Sequence, residues 1–121
     1  MGGFLVRDLL EFIRFIAMKK IAFVMQLKAG FEMEYKKRHD EIWPELVEEL
    51  KSAGIEDYSI YLHRQTLQLF AVLKRTENHG MDELPQRTAM QKWWAYMADI
   101  MDTAADKSPK TTQLQPVFHL D

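Results

Sequence analysis

The chain has 121 residues, a formal net charge of −2, and 47% hydrophobic against 28% charged residues. That length suits one domain with a real core, and that balance excludes a disordered chain. With 16 Lys plus Arg set against 18 Asp plus Glu and no basic stripe, a nucleic-acid partner is not expected, and the absence of cysteine excludes disulfides, thiolate catalysis and cysteine zinc sites.

Residues 1–17, MGGFLVRDLLEFIRFIA, place apolar side chains at 5, 9, 12, 13 and 16 with Arg7, Asp8, Glu11 and Arg14 between them. This is an amphipathic helix pattern. Its charges exclude a membrane span, and it lacks the uninterrupted apolar stretch of a signal peptide. An interfacial helix is the sharper alternative, weakened by having only two cationic side chains. Met18 opens MKKIAFVMQL like a start of its own. Residues 1–17 are therefore expected to be an extension ahead of a domain over 18–121, with the cytoplasm as compartment and no membrane partner.

KKIAFVMQL (19–27) is short, β-branched and aromatic, and reads as a strand that Gly30 ends. Phe31, Tyr35 and His39 then follow at four-residue steps, so they share one helix face. Trp43-Pro44 interrupts that helix, and Pro44 suits the first position of a second one through ELVEELKSAG, with Gly54 as its stop. DYSIYLHR (57–64) and LQLFAVLKR (67–75) alternate as a hairpin with a tight Gln65-Thr66 connection. MDELPQRTAMQKWWAYMADIM (81–101) reads as one helix, its buried stripe formed by Met90, Trp93 or Trp94, Met97 and Met101. After the polar loop DTAADKSPKTTQ, LQPVFHL reads as a last strand, placed at an edge by its proline.

The order β-α-β-β-α-β predicts an α+β fold of the ferredoxin-like type. Helices cover one face of such a sheet. IAFVMQL and LFAVL are apolar on both alternations, so the other face needs cover as well, and a second copy of the chain is the simplest cover. A homodimer with its sheets packed together, a dimeric α+β barrel, is expected.

Among residues that could carry chemistry, His39 stands first, because an imidazole exchanges protons near neutral pH without help. The bland alternative is a partly buried histidine bonded to a carbonyl, or a charge at the C-terminal end of its helix. His63, His79 and His119 sit in weaker contexts, and no H-x-H or H-x-x-x-H pair supports a metal site. Tyr35, Tyr58, Tyr61 and Tyr96 each combine an apolar ring with a hydroxyl, and core packing is the competing reading for each. Trp93 and Trp94 are adjacent and point about 100° apart on a helix, so one can fill the core while the other lines the dimer interface or a cavity, where its face would suit the C–H face of a sugar. Asp40, Glu41, Glu45, Glu48 and Glu49 read as a solvated acidic face. Phosphate loops, nucleophile elbows and dinucleotide fingerprints are absent, and no cofactor is expected.

AFVMQLKAG, Y-x3-H-x3-WPEL, DYSIYL, QKWWAYMADIM and LQPVFHLD, in this order and over roughly residues 18–121, closely resemble the L-rhamnose mutarotase family. The resemblance implies a dimeric ferredoxin-like α/β fold and a cofactor-free isomerase that interconverts the α and β anomers of L-rhamnose. It places the family's proton-donating histidine on His39, its sugar-contacting tyrosines on Tyr35 and Tyr58, and its paired tryptophans on Trp93 and Trp94. His39, as imidazolium, would then give the ring oxygen its proton. KRTENHGMDELPQRTAM (74–90) and TAADKSPK (103–110) depart from the family pattern, the latter by lacking an asparagine-proline pair. Rival uses of the same scaffold are a cofactor-free oxygenase, a haem-handling protein and a sugar-binding dimer without catalysis.

Overall fold

The structure is a computed structural model that describes Leu9 and residues 18–121. The amphipathic pattern expected over 1–17 thus lies outside the described residues, Leu9 apart. The elements run β1 (Lys19–Gln26), α1 (Glu32–Asp40), α2 (Pro44–Ser52), β2 (Ile55–His63), β3 (Gln68–Arg75), a 3-10 turn (Met81–Gln86), α3 (Thr88–Met97) and β4 (Thr112–Gln113). The strands form one sheet in the order β2-β3-β1-β4, and each adjacent pair is antiparallel. This is the ferredoxin-like arrangement that the sequence predicts.

Strand register sorts the side chains between the two faces. Met25, Leu69 and Leu62 stand opposite one another across three strands, as do Phe23, Ala71 and Ile60. These rows meet Leu46 of α2 and Met90, Trp93 and Met97 of α3 in the core. Burying one such side chain is worth roughly 1.5–3 kcal/mol, so this face supplies most of the folding drive.

Four expectations need correction. The hairpin connection is not two residues but four, 64–67, because Leu67 turns out of the strand at φ 62°. There its N–H bonds the His63 carbonyl at 2.7 Å, its own carbonyl accepts from Leu27 N–H at 2.9 Å, and its side chain packs on the core. The helix expected over 81–101 is broken. Pro85 lies inside the 3-10 turn, and Arg87 is extended at φ −84° and ψ 139° before α3 begins. Met101 is buried as expected, but beyond the helix, in a bridge to Leu27.

Glu49 is not merely solvated. Its carboxylate accepts from the backbone N–H groups of Ala89 (3.3 Å) and Met90 (3.0 Å) and so caps the first turn of α3 from across the fold. The last strand is Thr112–Gln113 instead of LQPVFHL, pairing with Val24 and Phe23. Leu114 N–H still bonds the Ala22 carbonyl at 3.0 Å, but Pro116 has no N–H with which to carry the ladder on.

Candidate active site

Three elements converge at one end of the helix-covered face. α1 carries Glu32 and Glu34 in its first turn and Lys37, Arg38 and His39 in its last, which suits the helix dipole at both ends. The chain then swings through Trp43, held extended at φ −67° and ψ 133° by the proline after it, and Pro44 opens α2. This is why a histidine in the last turn of one helix and a tryptophan at the cap of the next lie together against α3.

His39 stacks on Tyr35, with ring centroids 4.2 Å apart and 29° between planes, and meets the Trp93 ring edge-on at 5.3 Å. Its Nδ1 lies 3.0 Å from the Tyr35 carbonyl oxygen. A carbonyl only accepts, so Nδ1 carries the hydrogen and Nε2 of the neutral ring keeps a free lone pair. Burial holds the imidazole below its ordinary pKa, against the opposing pull of the Tyr35 carbonyl and of Asp40. At neutral pH the ring therefore rests neutral, so the imidazolium that would protonate the ring oxygen has first to be formed.

Tyr35 is buried beneath that ring, and burial, with Tyr58 nearby, pushes its phenol well up. Tyr58 is 38% exposed overall, yet crowding around its hydroxyl pushes its phenol up to about 12. Both hydroxyls stay protonated and can donate as well as accept. Tyr58 reaches this place through a β-bulge: Glu56 pairs with Lys74 and Ser59 with Val72, leaving two residues of β2 opposite one of β3, with Asp57 at φ 49°. The bulge resets the alternation so that Tyr58, Ile60 and Leu62 join Ile55 on the helix-covered side.

Trp93 is 6% exposed and wedged among three rings: His39, Trp43 (5.1 Å, edge-on) and Tyr96 (5.8 Å). Trp94 is half-buried, and both tryptophans line the cleft together with Tyr35, His39 and Tyr58. All five residues singled out from the sequence thus border one cavity. Its volume is about 1630 Å³, well beyond a monosaccharide's needs, so selectivity has to come from the polar tips at the α1–α3 end.

Sequence reasoning misses Trp43 and Arg38, which support the site from outside the cavity lining, and notes Tyr96 only as one tyrosine among four. Trp43 stacks on Tyr96 at 5.5 Å and 30°, and Arg38 lies over the other partner of that stack, 4.3 Å from the Tyr96 centroid. The three-residue step from Trp93 to Tyr96 on one helix face is the one signal that could have found the pile.

A family model described as L-rhamnose mutarotase matches residues 20–120. The chain belongs to the L-rhamnose mutarotase family. An L-rhamnose mutarotase of Jannaschia sp. (strain CCS1) is 58% identical over 103 residues, covering 85% of this chain and 99% of that protein. One of Sinorhizobium fredii is 60% identical over the same coverage. Among solved structures, the L-rhamnose mutarotase of Formosa agariphila superposes with a TM-score of 0.80 at 39% identity, covering 85% of this chain and 99% of its own. The matched span, residues 20–120, contains the five cleft positions.

Proposed function

We propose that this chain interconverts the α and β anomers of L-rhamnose in the cleft between α1, β2 and α3, with His39 as the group that moves the proton. The activity, an isomerisation, comes with the family; the residue roles are our own reading. The observation that carries them is the Nδ1–Tyr35 carbonyl bond, which leaves Nε2 basic.

Neutral Nε2 takes the proton from the anomeric hydroxyl. The C1–O1 bond becomes a carbonyl, the C1–O5 bond breaks, and its electron pair goes to the ring oxygen. That oxygen then receives the same proton from Nε2–H. O1 and O5 share one carbon, so a single imidazole can serve both, and no separate base is needed. After rotation about C1–C2 the steps reverse on the other face, with no net proton gained or lost. His39 is thus still the proton donor to the ring oxygen, but it donates a proton it has just accepted. Tyr35 and Tyr58 hold sugar hydroxyls, and the tryptophans offer an apolar surface to the ring.

The proposal includes a homodimer formed through the sheet face that α1, α2 and α3 leave bare. Val24, Phe70 and Tyr61 form one row across that face, and Ala22, Val72 and Ser59 the next. No helix among the described residues is long and apolar enough to cross a membrane. A mutarotase acts on a free reducing sugar, and the cytoplasm is the compartment we propose for it.

Exchange between the anomeric proton signals of L-rhamnose, followed by saturation-transfer NMR, tests the reading. The native chain should accelerate exchange, and His39→Ala should lose roughly 10²–10⁴-fold, the usual range for general acid–base assistance. Exchange unchanged by His39→Ala would remove His39 from the mechanism. Binding of L-rhamnose with no exchange at all would favour the non-catalytic sugar-binding alternative.

A further inference from the structure

Arg38 precedes His39 and points about 100° around the helix from it, away from the cleft and towards α3. Its side chain is only 10% exposed despite its charge. Nε donates to Glu34 Oε1 at 2.9 Å, within α1. Nη1 donates to the Tyr96 carbonyl at 2.7 Å and to Asp99 Oδ1 at 2.9 Å, and Nη2 reaches Asp99 Oδ2 at 3.3 Å. The Tyr96 carbonyl belongs to the last turn of α3, where the helix dipole favours a cation.

From the same guanidinium a chain of rings leads back to α1. Arg38 lies over Tyr96, Tyr96 stacks on Trp43, Trp43 meets Trp93 edge-on, and Trp93 meets His39 edge-on. The circuit starts and ends on neighbouring residues. Slippage of α1 along α3 would break the fork and shift the imidazole relative to Trp93 together. Exposed ion pairs fix little, but this one is bidentate, covered on its arginine side, and joined to a helix end.

We infer that Arg38 is a positioning residue for the proton-moving histidine, clamping the last turn of α1 to the C-terminal end of α3 so that His39 keeps its place beside Trp93. This rests on the proposed role of His39. The fork explains why arginine is needed, since a lysine ammonium cannot engage Glu34, the Tyr96 carbonyl and both Asp99 oxygens from one fixed plane.

The test compares Arg38→Lys, Asp99→Asn and Asp99→Glu with the native chain, well below the Tm of each. Asp99 is 65% exposed, so its variants should fold even if Arg38→Lys does not. Arg38→Lys and Asp99→Asn should lower kcat roughly ten- to a hundredfold, the scale expected when a reacting group is misplaced by about an ångström. KM should stay within about twofold, as expected when only transition-state geometry is lost. Asp99→Glu should recover part of kcat, and the Cε1–H resonance of His39 should move in the two impaired variants. A kcat within about twofold of native in both, a loss confined to KM, or an unmoved His39 resonance would each overturn the clamp. If the native chain showed no exchange, the mutarotase reading would fail instead, while the His39 resonance would still decide the clamp.

Discussion

The two faces of the sheet are built from the same strands and do opposite things. On one, Met25, Leu69 and Leu62 meet helices, and the polar tips of His39, Tyr35 and Tyr58 gather where those helices end. On the other, Val24, Phe70 and Tyr61 stand in a row that α1, α2 and α3 do not cover, and Tyr61 is 66% exposed. Strand alternation sends every second side chain to each face, so one stretch such as IAFVMQL must satisfy both. The proposed chemistry belongs to the covered face, where burial lowers the pKa of an imidazole. Among the described residues the other face offers apolar area and no comparable cluster of perturbed groups, which suits assembly. Changes on one face should therefore leave the function of the other in place.

The largest test puts a charge on the bare face. Phe70→Asp would bury a carboxylate without a partner in the proposed interface, at a cost on the order of 3–5 kcal/mol. Sedimentation should then show a protomer where the native chain sediments as a dimer, with anomer exchange per protomer retained. Unchanged dimer mass would remove this face from assembly. A monomer that folds but does not exchange would show that the cleft needs the partner, and the comparison would have to be redrawn.

The covered face is tested next, by pH. His39 is held below its ordinary pKa, and the proposed step starts from the neutral ring. Exchange should be flat above the usual imidazole range and fall as pH drops through the lowered pKa, approaching tenfold per pH unit where a single protonation governs. The groups near His39 are Tyr35 and Asp40 on α1 and Tyr58 on β2; α3 presents Trp93, which does not titrate. Stability should follow the same sign. The folded state binds fewer protons than the unfolded one between the lowered and the ordinary pKa, so stability contributed above 6.5 declines as pH falls through that window. A rate that rises as pH falls would mean that imidazolium is the reactive form.

How much of this was open to reading in the sequence depended on the range of the interaction. The step from Tyr35 to His39, the alternation of Tyr58, Ile60 and Leu62, and the proline that starts α2 are local patterns, and each holds. The cap that Glu49 places on α3 joins residues 40 apart, and nothing near Glu49 in the chain distinguishes it from Glu48. The bulge at Asp57 is a similar case, since Glu56 and Ser59 pair normally on either side of it. The neutral state of His39 also had no local signature, because the rings that bury it come from α1 and α3 together. LQPVFHL has strand composition, yet its proline stops the ladder just where the strand was expected to begin.

A smaller effect should come from Gly54, which lies between α2 and β2 at φ 86°, with Thr76 Oγ1 where a Cβ would go. Gly54→Ala combines left-handed backbone strain with that overlap and should cost about 1–3 kcal/mol in urea unfolding. Exchange by the folded protein should be nearly native. A loss of exchange without a loss of stability would mean that the α2–β2 turn reports to the cleft, and the separation of scaffold from site would fail at that point.

The smallest effect sharpens the electrostatics of the covered face. Asp40 is exposed and already paired with Lys36 at 2.7 Å, so its field reaches His39 partly spent and through solvent. It is nonetheless one of the two influences that raise the histidine pKa against burial. Asp40→Asn removes that charge and keeps the side chain's shape, so the pKa should fall further and the acid limb of the exchange profile should move to lower pH. The plateau rate should not change, because Asp40 takes no part in the proton transfer. Added salt should shrink the difference between the two profiles, since it screens an exposed charge and does nothing to burial. A plateau that dropped instead would make Asp40 a participant and end the reading in which one imidazole moves the proton alone.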